Sequence, residues 1–178
     1  MLKVYITDLA AYNNGYLIGQ WFTLPMEQEE LSQAITEVLQ LGSSTICEVT
    51  EEWFITDYEW EEGIELCNID EYENLDRLNE QLQEISDATT SELQAMEFLL
   101  SQGLVNDIKE AYKKCDEVTV YENQTMEEVA TELIESCYNL DDIPAIITNN
   151  IDYKAIANEL EIDGDYTVSG NDVYEYRH

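Results

Sequence analysis

The chain is rich in carboxylates and poor in other chemically active side chains. Forty of its 178 residues are Asp or Glu. Close pairs such as Glu51/Glu52 and Asp141/Asp142 have the composition of a general acid and its base. With so many acids such pairs arise by accident, and they single out no reaction. The sole histidine is His178, at the terminus, where chains fray. A nucleophile–His–acid triad and a His-bearing zinc site are therefore not expected. Cys47, Cys67, Cys115 and Cys137 never form C-x-x-C, which argues against a zinc knuckle or redox pair and suits reduced thiols. Gly15 and Gly19 sit in a hairpin context and lack the pattern of a phosphate-cradling loop. The string Glu159-x-Glu161-x-Asp163-Gly164 imitates the start of a calcium loop. Its first ligand, however, is Glu where Asp is expected, and Gly170 falls at the last ligand position. The expectation is no enzyme, no metal and no cofactor.

What the carboxylates do is then an electrostatic question. Seven Lys and Arg against forty acids leave a net charge of −33 and a pI near 4.1. A small soluble domain needs a magnitude of only about 2–8. Self-repulsion on this scale opposes compaction, so fold stability does not account for it. Nucleic-acid binding through a basic patch is excluded, as is attraction to an anionic membrane surface. A cationic ligand, metal ions or a protein with a basic groove remain attractive to this surface. Hydrophobic residues at 44% suffice for a core, so the charge does not imply disorder. No apolar stretch approaches the roughly 20 residues that span a bilayer, and Met1 to Asp8 lack the apolar region of a signal peptide. Cytoplasmic residence is expected.

The elements that must position these charges read as α+β. Leu2, Val4 and Ile6 alternate as a strand, Asn13-Asn14-Gly15 signals a turn, and Tyr16 to Thr23 reads as a second strand ended by Pro25. Leu31, Ile35, Val38 and Leu39 make a helical stripe that Gly42 is expected to close. Strands are expected at Thr45–Thr50 and Trp53–Tyr58. Leu75, Leu78, Leu82 and Ile85, then Leu93, Met96, Leu99 and Leu100, form two helical stripes, with a further helix from Val105 to Lys114. Val118 to Tyr121 is strand-like. Thr125-Met126-Glu127-Glu128 has capping-box spacing and opens a helix through Cys137. Pro144 starts a short helical piece, Ile151 to Leu160 is helical, and Tyr166–Ser169 and Val173–Tyr176 are strands. The division expected is an elongated chain of three small units: an α+β unit (1–67), a helical middle (68–115) and an α+β end (116–178).

Distribution of charge says more than the total. Between Lys3 and Arg77 there are 17 acids and no base, and ten more acids lie between Lys114 and Lys154. Acids are interleaved with apolar positions of the elements, unlike a detachable acidic tail. Glu128, Glu132 and Glu135 recur on one helical face. Four residues of helix advance about 6 Å, similar to the spacing of phosphates on one strand. Thirty-three charges correspond to about 56 Å of duplex, whereas a compact globule of this length is only about 40 Å across. Matching DNA along a line therefore favours an elongated shape. The carboxylates expected to imitate phosphates are Glu27, Glu30, Glu37, Glu48, Glu51, Glu52, Asp57, Glu59, Glu61, Glu62, Glu65, Asp70, Glu71, Glu73, Asp76, Glu80, Glu84, Asp116, Glu117 and Glu122. A merely solvated face and adaptation to high salt are the plain alternatives. Twelve Tyr and three Trp could stack bases, but no positive groove accompanies them, so Trp21, Trp53 and Trp60 read as core or subunit-contact residues.

Several motifs carry a family resemblance. Tyr5-Ile6-Thr7-Asp8-Leu9 followed by Tyr12-Asn13-Asn14-Gly15-x-Leu17-x-Gly19-x-Trp21-Phe22 resembles the start of the ArdA antirestriction proteins. Ile55-Thr56-Asp57-Tyr58-Glu59, Leu75-x-x-Leu78-Asn79-x-x-Leu82, and Ile143-Pro144 leading to Ile151-Asp152-Tyr153-x-Ala155 follow in the family's order. The resemblance implies a homodimer of three small domains that imitates bent B-form DNA and fills the DNA groove of type I restriction-modification enzymes. Such proteins are carried by mobile elements. It also implies an antirestriction-motif and dimer region holding Glu128, Val129, Glu132, Leu133, Glu135, Leu140, Ile143, Pro144, Asp152 and Tyr153. Asn150, where an aromatic is common, and Ala157-Asn158 depart from the family's pattern. The alternative function is an acidic adaptor that docks a basic regulatory or nucleoid protein without imitating a duplex. A carboxylate–metal hydrolase is a more distant rival.

Overall fold

The computed structural model describes residues 1–177; His178 and the side chain of Glu62 lie outside the described residues. Among the described residues two three-stranded antiparallel sheets and eight α-helices make the α+β fold. The first sheet has β1 (Leu2–Asp8) in the middle, flanked by β2 (Gly19–Leu24) and β3 (Trp53–Trp60). Leu2, Val4 and Ile6 alternate inward and are fully buried. The turn expected after β1 contains a short helix, α1 (Leu9–Asn13). Asp8 caps it, accepting the Ala11 N–H at 2.7 Å.

The next helix, α2 (Gln28–Ile46), corrects two expectations: it runs through Gly42, and Thr45–Thr50 is not a strand. Ser44 and Thr45 return their hydroxyls to the carbonyls of Gln40 and Leu41, both at 2.8 Å, as helical residues can. The stop comes at Cys47, whose φ is +58°. Gly42 serves packing, since a Cβ there would fall on the buried Asp8 carboxyl.

Helices α3 (Leu75–Glu84), α4 (Thr90–Ser101) and α5 (Ile108–Lys114) follow. Leu75, Leu78, Leu82 and Ile85 bury the stripe read from the sequence, with Met96, Phe98 and Leu99 of α4 in the same core. Asn79 is also buried, and its amide both donates to the Met26 carbonyl (2.8 Å) and accepts the Met26 N–H (2.9 Å). Those two bonds tie α3 to the loop that leads into α2.

The second sheet places β6 (Asp172–Tyr176) between β4 (Val118–Tyr121) and β5 (Tyr166–Ser169). Both its faces are used. Tyr174 stacks flat on Phe98, with centroids 4.5 Å apart, and so joins the large core. Val173 and Tyr166 join a second core with α6 (Met126–Cys137) and α8 (Tyr153–Asp163). The four-residue α7 (Ala145–Thr148) lies between them in sequence. The large core takes residues from all three expected units.

Two capping boxes are formed. Glu128 Oε2 accepts the N–H (2.7 Å) and hydroxyl (2.8 Å) of Thr125, while Thr125 Oγ1 accepts the Glu128 N–H at 3.3 Å. Glu92 and Thr89 do the same for α4. In both, the Thr N–H first and its hydroxyl second hold the carboxyl below the usual glutamate value. Among the described residues no helix is long and apolar enough to cross a membrane.

Two outcomes are expected. Gly42→Ala crowds Asp8 and should cost about 1–3 kcal/mol, read from the urea midpoint; an unchanged midpoint contradicts the packing. A lowered carboxyl pKa gives stability that is present above the unfolded value and is lost as pH falls through the folded one. The Glu128 carboxyl, followed by ¹³C NMR, should titrate below an ordinary glutamate, and Thr125→Ala should move it upward.

Candidate functional site

The candidate site is a surface display. Seventeen of the twenty carboxylates named above are exposed. Glu61 and Glu73 are partly covered, and Glu62 falls outside the described side chains. The acids are mounted on regular elements and on short loops tied back to them. On α3, Asp76, Glu80 and Glu84 recur every fourth residue, opposite the buried Leu75, Leu78 and Leu82. Successive members advance about 6 Å along the helix. Glu27 joins this stripe: with Glu80 and Glu84 it lines one shallow depression, floored in part by Met26 and Asn79. Gln28 reaches across to Asp76 at 2.6 Å. Two acid-bearing helices thus meet at a fixed junction.

Glu30 and Glu37 lie on the outside of α2. Glu48, Glu51 and Glu52 occupy the loop after it, where the Glu52 carbonyl accepts the Leu9 N–H at 3.0 Å. Asp57 and Glu59 project from β3. Glu65, Asp70, Glu71 and Glu73 follow on the connection to α3, held by the bond from the Ile55 N–H to the Glu71 carbonyl at 2.8 Å. Asp116, Glu117 and Glu122 flank β4.

Neutralisation is sparse. Among the described residues the acids within 4.0 Å of a basic group are Glu61 (with Lys3 and the N-terminus), Glu84 (Lys109), Glu110 (Lys114) and Glu175 (Arg177). These pairs sit largely in water, where each contributes little.

The region 128–153 is divided in its roles. Val129 is buried in the second core, and Glu128 is engaged in its capping box. Asp152 caps α8 through the Ala155 N–H at 3.0 Å. Glu132 accepts from Gln124 at 3.0 Å, and Glu135 is exposed. Leu133, Leu140, Ile143 and Tyr153 are half-buried, and Pro144 stands exposed before α7. Sequence reasoning overlooked the neighbouring Tyr138, Ile146 and Ile147, which are 57%, 78% and 55% exposed. The uninterrupted Ala145-Ile146-Ile147 run could have flagged them, because a four-residue helix has little room to bury two adjacent isoleucines.

Metal chemistry has little to build on. Glu159, Glu161 and Asp163 are helical, ended by Gly164 at φ +89°, and do not form a loop. Glu92, Cys115 and Asp116 bring ligand atoms within 4.8 Å of one another. Glu92 is committed to its cap, however, and the Cys115 thiol donates to the Tyr112 carbonyl at 3.1 Å. Burial, then the nearby carboxylates, raises that thiol's pKa.

A comparison with curated proteins finds no match. The family model described as "Antirestriction protein (ArdA)" matches residues 4–175. That span takes in every helix, the whole carboxylate display and all but the outermost residues of the two sheets, and the chain belongs to the ArdA family of antirestriction proteins.

Proposed function

We propose that the protein acts as a decoy for duplex DNA, occupying the DNA-binding groove of a type I restriction-modification enzyme in the cytoplasm of a cell entered by a mobile element. The observation that carries this reading is the set of exposed, nearly unneutralised carboxylates held on packed elements. A groove built for DNA gains affinity by releasing the counterions that DNA carries. A folded polyanion offers the same charges with no bases to read, so it competes with specific and non-specific DNA alike. The accessible surface supports an extended display: it is 10932 Å². A compact chain of 20.6 kDa exposes about 8,900 Å².

The protein is further proposed to act as a homodimer. Tyr138, Ile146 and Ile147 expose apolar area close in sequence to the half-buried Leu140 and Ile143, and this segment is a candidate subunit contact. Pairing two copies there would extend the row of charges beyond one chain's reach.

Competition is the direct test. The protein should displace a DNA duplex from a purified type I methyltransferase, and raising salt from 50 to 200 mM should weaken its binding by about 10³-fold or more. Binding indifferent to salt, or leaving bound DNA in place as an adaptor would, contradicts the decoy. The combined Asp76→Asn, Glu80→Gln and Glu84→Gln protein should flatten the salt dependence while losing affinity by only a few-fold, at about 0.2–1 kcal/mol per exposed charge. For the subunit contact, Ile146→Asp with Ile147→Asp should halve the sedimenting mass. A wild-type protein that sediments as a monomer at micromolar concentration contradicts the dimer.

A further inference from the structure

The side of the first sheet turned away from α2 carries aromatic rings. Strand alternation sends Leu2, Val4 and Ile6 into the core, and Lys3, Tyr5 and Thr7 to the opposite side. Tyr5 stands in register with Trp21 on one neighbour and Asp57 on the other, and Lys3 stands likewise between Thr23 and Glu59. The Tyr5 and Trp21 rings meet edge to face at 5.3 Å. Gly19 leaves them room, since a Cβ there would strike the Tyr5 ring. Trp21 is 43% exposed and so is not a core residue, whereas Trp53 and Trp60 do pack on the large core. Farther along, Phe54 lies between Tyr12 (5.2 Å) and Tyr72 (6.4 Å), both more than half exposed. Lys3 is already paired with Glu61 at 3.2 Å, and no other base occurs before Arg77.

We infer that this face, centred on Trp21, Tyr5 and Asp57, binds arginine side chains of the protein partner. An aromatic ring attracts a cation over its face, and the neighbouring carboxylates can take the guanidinium's N–H groups. Arginine suits the site better than lysine, because its planar, weakly hydrated head stacks while an ammonium keeps its water. The same acids repel any nucleic acid approaching to stack on the rings, and they repel a second copy of this face. The partner's identity rests on the decoy reading; the preference for arginine does not. The face is a focal contact added to the diffuse loss expected from carboxylates, so decoy and adaptor are told apart by displacement of DNA.

The test has two arms. In the first, Trp21→Ala should weaken binding to the type I methyltransferase by about ten-fold with the salt slope unchanged, because an aromatic ring releases no counterions. Trp21→Phe, which keeps a ring, should recover most of the loss, and circular dichroism should show both variants folded. A Trp21→Ala affinity within about two-fold of wild type overturns the inference while leaving the decoy standing. In the second arm, oligoarginine and oligolysine peptides of equal charge are titrated against the full chain. Oligoarginine should bind several-fold tighter, and Trp21→Ala should close the gap. Equal affinity for the two peptides overturns the inference. If the wild-type protein fails to displace DNA from the methyltransferase, the decoy reading falls and the peptide arm alone decides this one.

Discussion

Thirty-three net negative charges repel one another, and that repulsion must be overcome before any other feature of the molecule can exist. Two charges 10 Å apart in water repel by about 0.4 kcal/mol before salt screens them, and in a medium of low dielectric constant by many times that. Burying a leucine contributes about 1.5–3 kcal/mol. The core therefore prevails provided the acids remain in water. The fold meets that condition nearly everywhere: among the described residues the only buried acid is Asp8, and it caps α1.

The same condition determines how the charges are held. A carboxylate on a loose loop would move away from its neighbours, whereas one on a packed helix keeps its spacing. The acids of α3 stay in line because Leu75, Leu78 and Leu82 are buried on the other side, and because Asn79 fixes the helix to Met26. Sparse pairing with Lys and Arg follows from the composition and leaves the field unspent. We read this sparsely compensated row of anions, in which Glu84 is paired with Lys109, as the ligand of a DNA-gripping groove, and the family assignment supports that reading.

Legibility in the sequence followed how local each determinant was. The α6 boundary was readable because Thr125 and Glu128 form a cap within four residues. The stripe of α3 was readable because its partners lie on one side. The end of α2 was misread because Gly42 answers to Asp8, a contact 34 positions away that no local pattern announces. Thr45 and Val49 invited a strand that back-bonded hydroxyls and a left-handed Cys47 exclude. Two strands were readable at Tyr5 and Trp21, but the register that sets the two rings side by side, and whether anything covers them, depend on pairing and on where the helices pack. Acidic positions can be named from the sequence one by one, yet their gathering at the junction of α2 and α3 required the Met26–Asn79 and Gln28–Asp76 bonds.

A DNA-binding groove is proposed to take this folded polyanion as its ligand. Hydrogen exchange of a type I methyltransferase, recorded once with a DNA duplex and once with this protein, tests it most directly. Both ligands should protect the same groove-lining peptides. Protection confined to a different surface, with the groove peptides exchanging as freely as in the unbound enzyme, would contradict it.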